Sequence, residues 1–425
     1  MSDFIVSEHF LDNYIWIIVF VVIIIIIIFV PNLRRVEPIH SLPNYVETSV
    51  WKSESDPKWF IHLTDIHIDS FHTSINEHFE KSLQFSEKFH SHTLVLTGDL
   101  VNGWGNSSFF KTGDQRINDW ELYSQITNKY YGKFKHVFDQ VGNHDQWNIW
   151  SINSQNFNYS KYSYHFHRTY SNEEEFWAIP EETEDYFFLF INPFHFPTPR
   201  AKFDVWARDT PEMLTIIEQA INQIKEARQA NPKPFFIFCH CPLCFWEGKN
   251  KSFYGHTISE ILSDSGCNSF ITGHAHIPEP HFSHYNGVLE VIGVNVLSDS
   301  GYNLVTIDNN RVAYHSWDEK HVDYQNPQKF VLTHPVPKQQ MNNSFCFSEN
   351  NTAVRVLAFN IASNSVKLHV KISDFSNVLI VDSDLSFSRN ITPPNQNQDS
   401  IGNDDKNDNN PSVNSLGENI LNFNL

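Results

Sequence analysis

Five short apolar runs, each stopping at an aspartate, asparagine or histidine, constrain this chain more than anything else in its 425 residues. Residues 59–63 are followed by Asp65 and His67, and Thr93–Thr97 by Gly98 and Asp99. Residues 137–141 lead into Asn143-His144-Asp145, Phe235–Cys239 into His240, and Ser269–Thr272 into His274 and His276. Short continuous apolar runs read as strands buried on both faces. In open α/β sheets, ligands sit just beyond the carboxyl ends of such strands. Asp, Asn and His bring oxygen and nitrogen donors for a hard or borderline metal ion. A lone Asp-x-His means little in a chain with 23 histidines. Five strand ends in order, all with ligand chemistry, mean a site.

The intervening segments fit the same picture. Ile75, Phe79 and Leu83 predict an amphipathic helix over 75–90, and Trp120, Tyr123, Ile126 and Tyr130 one over 119–130. Asp209-Thr210-Pro211-Glu212 is a helix start, and Asn231-Pro232 closes that helix just before the His240 strand. Residues 162–167 and 186–191 read as strands of a second sheet, and 288–317 as further short strands. Strand–helix–strand alternation predicts an α/β sandwich of two mixed sheets flanked by helices.

Charge and cysteine content narrow the partners. The net charge is −19, which argues against a nucleic-acid backbone, since phosphate contacts need clustered Lys and Arg. Arg200, Lys202 and Arg208 are the few cations near the Pro-rich loop from Pro193, and one of them is a candidate for neutralising a phosphate oxygen. The five cysteines have no regular spacing and form no disulfide framework. Cys239, Cys241 and Cys244 flank His240; they read as buried strand and loop residues, with Cys241 lining the pocket as the sharper alternative. Trp104 and Trp147 read as packing residues, with stacking on an organic leaving group as the alternative.

The ends carry different material. Residues 1–13 are polar and acidic, and 14–30 are a continuous apolar run. At ~1.5 Å per residue such a run spans about 25 Å, the lower limit for a membrane helix. Asp3, Glu8 and Asp12 in place of basic residues, and no small-x-small site, favour an uncleaved anchor over a signal peptide. Arg34 and Arg35 would hold the following chain in the cytosol, whereas sequons at Asn106, Asn158 and Asn390 suit a lumenal side. Both sides stay open. Residues 31–57 form a Pro-containing linker, 58–325 the catalytic domain, 326–389 a small all-β module, and 390–425 a polar tail expected to be disordered. The β module rests on the alternation in Val366-Lys-Leu-His-Val-Lys-Ile372 and is expected to be an immunoglobulin-like sandwich.

The ordered blocks Asp65-Ile-His67, Gly98-Asp99, Gly142-Asn-His-Asp145, His240 and Gly273-His-Ala-His276 resemble the metallophosphoesterase (calcineurin-like phosphoesterase) superfamily. Asp114-Gln, Asp119-Trp120-Glu with Tyr123, Pro197-Thr-Pro-Arg200 and Val354-Arg-Val-Leu-Ala-Phe359 are similar to a membrane-bound branch, the transmembrane-protein-sixty-two-like phosphoesterases. The resemblance implies that Asp65, His67 and His276 hold one metal ion, Asn143, His240 and His274 a second, and that Asp99 bridges them. Two cations about 3.5–4 Å apart need such an anion between them, and they lower the pKa of a shared water that attacks phosphorus in line. Mn, Fe and Zn all suit these donors. His144 is expected to assist the leaving oxygen, and Asp145 to orient His144. His62, His72, His195 and His281 read as ordinary histidines. The expected function is a membrane-anchored two-metal phosphoester hydrolase, with a membrane-near or lipid-linked phosphoester as the expected substrate. The alternative is a phosphoesterase fold used as a binding or trafficking module without turnover, which the complete ligand set disfavours.

Overall fold

In a computed structural model of the chain, the residues described are 56–103, 115–165, 173–198, 206–285, 287–299, 301–308 and 311–317. Those described in the C-terminal module are 330–334, 336, 340, 353–359, 368–373, 379–391 and 418–424. The expected anchor at 14–30 and the linker up to residue 55 lie outside these. Among the described residues, no helix is long and apolar enough to cross a membrane.

Two mixed sheets make the sandwich. The first contains β1 (Lys58–Leu63), β2 (Thr93–Thr97), β3 (His136–Gln140), β10 (Tyr302–Asp308) and β11 (Arg311–Trp317), in the order β11-β10-β1-β2-β3. The second contains β4 (Ala178–Glu182), β5 (Phe187–Ile191), β6 (Phe235–Cys239), β7 (Ser269–Thr272), β8 (His281–Tyr285) and β9 (Val288–Ile292), in the order β4-β5-β6-β7-β9-β8. β1, β2 and β3 run parallel, as do β5, β6, β7 and β9, while the outer pairs are antiparallel. The parallel pairings need crossovers, which helices supply. These are α1 (Thr73–Glu87) after β1, α2 (Ile117–Tyr130) after β2, α6 (Pro211–Ala230) after β5 and α7 (Ile258–Asp264) after β6. Short helices α3 (Asn143–Gln146), α4 (Tyr159–Tyr162), α5 (Glu173–Trp177) and α8 (Val296–Asp299) fill loops.

Phenylalanine explains why the sheets face each other. On β5 and β6, Phe188, Phe190, Phe236 and Phe238 point one way, and Phe187, Leu189, Phe235 and Ile237 the other. The first set meets the opposite sheet: Phe60 lies edge-on to Phe236 at 5.0 Å and to Phe188 at 5.7 Å, and Phe138 meets Phe190 at 5.3 Å. The second set packs under Met213, Ile217, Ile221 and Ile224 of α6. Each such side chain withdrawn from water contributes ~1.5–3 kcal/mol. The start of α6 is built as its sequence predicts, with the Thr210 hydroxyl accepting from the Met213 N–H at 3.2 Å and Pro211 in the first turn.

Three expectations need correction. Residues 162–167 were expected as a strand, but Tyr162 ends α4 and Tyr164 and His165 form a turn. The buried Asp139 carboxylate accepts from both of their backbone N–H groups, at 2.7 and 2.9 Å, so those donors are taken by a side chain rather than a ladder. The C-terminal module was expected as a two-sheet sandwich. Its described strands, β12 (Phe330–His334), β13 (Ala353–Ala358), β14 (Leu368–Ser373), β15 (Leu379–Ile391) and β16 (Glu418–Asn424), form one antiparallel sheet in the order β12-β13-β16-β15-β14. The third correction is β16 itself, which lies in the tail expected to be disordered and pairs with β13 and β15.

That module is bolted to the two-sheet sandwich. Arg355 on β13 pairs with Asp308 at the end of β10 at 2.5 Å, both about 1% exposed, and the Thr333 hydroxyl donates to the same carboxylate at 2.8 Å. Phe359 packs edge-on against Phe89 at 4.9 Å and Trp59 at 5.6 Å.

Candidate metal centre

The loops after β1, β2, β3, β6 and β7 converge at one end of the sandwich. Five of the residues they carry inward adopt left-handed backbone conformations: Asp65 (φ 54°), His67 (φ 53°), Asp99 (φ 51°), His274 (φ 67°) and His276 (φ 49°). Non-glycine residues there cost of order 1–2 kcal/mol each and persist only where the surroundings hold them. Here the loops hold one another. The N–H groups of Ile66 and His67 both donate to the Asp99 carbonyl, at 3.0 and 2.8 Å, and Gly273 N–H donates to the His240 carbonyl at 3.0 Å. His274 N–H donates to the Asp65 carboxylate at 2.9 Å, and the Thr64 hydroxyl donates to it at 3.0 Å.

All seven expected ligands meet. In one group, His67 Nε2 lies 2.9 Å from His276 Nε2 and 3.4 Å from Asp99 Oδ2, and His276 Nε2 lies 3.3 Å from Asp65 Oδ1. In the other, His240 Nε2 lies 3.2 Å from Asp99 Oδ2, 3.0 Å from Asn143 Oδ1 and 3.1 Å from His274 Nδ1. Asp65, His67, Asp99 and His276 have donor atoms close enough to share a cation, as do Asp99, His240 and His274, and only Asp99 belongs to both.

The donor chemistry fits metal. Ring nitrogens facing each other at about 3 Å are bridged either by a shared proton or by a cation, since two bare lone pairs repel, and the same positions serve as metal donors. Burial and the neighbouring His144 keep His67 well below the ordinary histidine range, and burial with His240 brings His274 down to about 3. Both are therefore neutral, as ligands must be. Burial alone would raise Asp99, but His240 and His144 carry it well below the usual carboxylate range. Burial opposes charge on His240, yet Asp99 lifts it to about 9, so the carboxylate favours positive charge at this ring. Asp99 Oδ2 is buried and faces only ring nitrogens, His240 Nε2 at 3.2 Å and His67 Nε2 at 3.4 Å among the nearest. His240 Nδ1 donates to the Thr97 carbonyl at 2.7 Å, turning Nε2 to the pocket, as metal-ligating histidines do.

His144 lies at the rim, with Nε2 3.8 Å from Asp99 Oδ2. Asp145 was expected to orient its ring. Instead His144 Nδ1 donates to the Asn102 carbonyl at 2.5 Å, while Asp145 accepts from the N–H groups of Leu100, Val101 and Gly142 at 3.1, 3.1 and 2.7 Å. A carboxylate taken by three backbone donors ties the β2 and β3 loops together and is turned away from the imidazole. Trp147 lies over His144 at 3.7 Å between ring centres and is itself buried, in accord with packing. Trp104, Arg200 and Lys202 lie outside the described residues, and Arg208 is at the surface.

Sequence reasoning missed the supports. Gln115 donates to the His144 carbonyl at 2.7 Å and is held by Trp120 Nε1 at 2.9 Å. Phe245 lies edge-on to His274 at 4.7 Å. The excluded histidines are ordinary: His62 sits between the sheets on the Thr97 hydroxyl at 2.8 Å, His195 donates to the Arg208 carbonyl at 2.6 Å, and His72 is mostly exposed. Cys239 and Cys241 are packed in the α6-side core, and burial pushes both thiols up, so neither offers a reactive thiolate. Asn158 is buried, which removes that sequon as an acceptor in the folded chain.

A family model described as calcineurin-like phosphoesterase matches residues 58–278. The chain belongs to the calcineurin-like phosphoesterase family. Two curated relatives are similar to it. An Arabidopsis thaliana protein named as a metallophosphoesterase is 22% identical over 228 residues, 53% of this chain and 30% of that protein. Transmembrane protein 62 of Mus musculus is 23% identical over 336 residues, 72% of this chain and 45% of its own. The chain thus spans less than half the length of either. A dimetal phosphatase from Danio rerio covers 62% of this chain and 97% of its own at 11% identity, with a TM-score of 0.40, a likeness too loose to build on. Within the phosphoesterase domain, the matched span includes every residue of the two ligand groups.

Proposed function

We propose that this chain is a two-metal phosphoester hydrolase held at a membrane. The observation that carries the reading is the buried Asp99 carboxylate, common to two groups of facing ligands, with its inner oxygen turned to the ring nitrogens of both. Asp65, His67, His276 and Asp99 would hold one ion, and Asp99, Asn143, His240 and His274 the other. Mn, Fe and Zn all suit these nitrogen and oxygen donors. When bound, such a pair supplies an activated water and positive charge against the phosphoryl oxygens.

The chain's own residues do the rest. Asp99 would offset the mutual repulsion of two cations held there. His240, fixed by the Thr97 carbonyl, presents Nε2 and no other atom to the pocket. His144 keeps its Nδ1 proton in a hydrogen bond to the Asn102 carbonyl, so Nε2 faces the site, and in the imidazolium form Nε2–H would be the proton passed to the departing ester oxygen, leaving the neutral ring. No side chain is called on as a covalent nucleophile. Membrane attachment rests on the apolar run at 14–30 and on the similarity to transmembrane protein 62; it makes a phosphoester at or near a bilayer the favoured substrate class.

The full chain, purified in detergent and loaded with Mn²⁺, is assayed on an aryl phosphomonoester and the matching diester. Turnover on either that a chelator abolishes supports the hydrolase. Bound metal with no turnover on these or on phosphorylated lipids favours the binding-module reading.

A further inference from the structure

His144 is oriented by a backbone carbonyl, and a carbonyl is only as well placed as the peptide that carries it. Asn102 is gripped on three sides. Its N–H donates to the Ile68 carbonyl at 2.9 Å, its carbonyl accepts from His144 Nδ1 at 2.5 Å, and its side-chain Nδ2 donates to Asp69 Oδ2 at 2.6 Å. Asp69 is in turn pinned. Its carboxylate is 3% exposed, Phe71 N–H donates to Oδ1 at 2.9 Å, and Arg116 Nη2 lies 3.2 Å from the same oxygen. Asn76 closes on its backbone from both directions, accepting from Asp69 N–H at 3.1 Å and donating to its carbonyl at 2.9 Å. Arg116 comes from the segment between β2 and β3 and also pairs with Asp119 at 2.9 Å.

We propose that Asp69 is a positioning residue for His144, acting through the Asn102 side chain, with Arg116 holding the carboxylate in place. The inference rests on the hydrolase reading for its rate consequences and not for its geometry. Asp69 lies two residues beyond His67, yet its carboxylate turns to Asn102, away from both ligand groups, so its loss should spare metal binding. The same Oδ2 is met by His72 Nδ1 at 2.9 Å from the exposed side, so the bond from the Asn102 amide is its inward contact. A buried carboxylate bound to an amide whose own carbonyl fixes an imidazole resembles the outer partners that set histidine tautomers, whose loss costs ~10–100-fold in activity.

The experiment uses the full chain with Asp69→Ala, Asn102→Ala, the double variant and Asp69→Asn. The first readout is the tautomer of His144 in ¹⁵N-histidine spectra, its signal assigned by difference from His144→Gln; it needs no turnover. We expect Nδ1 protonation in the wild type and a mixture with the Nε2-protonated form in both alanine variants. The second readout is kcat on phenyl and p-nitrophenyl esters. Loss of a well-aimed proton donor falls on the poorer leaving group, so each alanine variant should lose about 10-fold on the phenyl ester and far less on the nitrophenyl ester. The double variant should be no worse than either single one, and Asp69→Asn, which keeps an acceptor oxygen, should recover most of the rate. An unchanged tautomer in both alanine variants, or equal losses on both esters with KM and metal content intact, would overturn the assignment. A wild type that turns over neither ester would count against the hydrolase reading, and the spectra would still decide the role of Asp69.

Discussion

Gly142 offers a test of where the Asp99 carboxylate is held. Its backbone is extended (φ −109°, ψ −176°), a conformation open to any residue, so alanine there probes space alone. A β-carbon at 142 would lie 2.2 Å from the Asp99 nitrogen and 2.2 Å from Asp99 Oδ1. Carbon rests against such atoms near 3.5 Å, so Asp99 or the turn bearing Asn143 must shift by about 1 Å. Overpacking of this kind costs about 1–3 kcal/mol of stability, and a displacement of about 1 Å in a reacting constellation lowers the rate by about 100-fold. Because Asp99 belongs to both ligand groups, both should weaken together. Gly142→Ala is compared with Gly132→Ala, where an added carbon meets nothing within 4 Å. Metal per chain after gel filtration, thermal melting with and without Mn²⁺, and turnover are read on each. We expect Gly132→Ala to match the wild type and Gly142→Ala to lose metal, Mn²⁺-dependent stabilisation and activity. A Gly142→Ala chain that binds and turns over normally would mean that Asp99 does not sit against the 142 backbone, and the geometry of the centre would be wrong.

Other consequences follow from buried charge. Glu290 on β9 accepts from Leu243 N–H at 2.7 Å, and burial pushes its carboxyl from 4.5 up to about 7. Between those values the folded chain holds more protons than the unfolded one, so this group's contribution to stability falls as pH rises through that window. Glu290→Gln keeps an acceptor and removes the titration; denaturant melts should show it gaining up to about 3 kcal/mol over wild type at pH 8 and little at pH 4, and a pH-independent difference would sink the idea. Arg355→Ala strands the buried Asp308 carboxylate and should cost about 3–5 kcal/mol in the melting of the whole chain; an unaffected two-sheet sandwich would show the module to be independent. His144→Ala should retain metal and lose kcat by ~10²–10⁴, read by elemental analysis beside turnover.

The convergence of the candidate ligands was legible in the sequence because the fold leaves them few places to go. A parallel strand buried on both faces is apolar throughout, so the first Asp or His after it is conspicuous, as at Asp65, Asp99 and His240. What supports them was less legible. The partner of His144 is a carbonyl, which every residue has, so nothing in the sequence marks Asn102; Asp145, the neighbouring carboxylate, looked like the better candidate and is spent on three backbone N–H groups. Side chains that capture backbone donors also defeat local patterns: the alternation at 162–167 has a strand's spacing, but Asp139, more than twenty residues upstream, fixes a turn. β16 was missed because Glu418–Asn424 is rich in Asn and sits in a polar stretch; its pairing with β13 and β15 is long-range and leaves no local signature.

The central claim is that one carboxylate serves two ions, and metal content tests it most directly. Wild type, Asp65→Ala and Asp99→Ala are loaded with Mn²⁺, freed of excess and measured for metal per chain. The account predicts about two ions in the wild type, as two-metal sites hold, about one after loss of Asp65, and essentially none after loss of Asp99. An Asp99→Ala chain that still retains a full ion would contradict it.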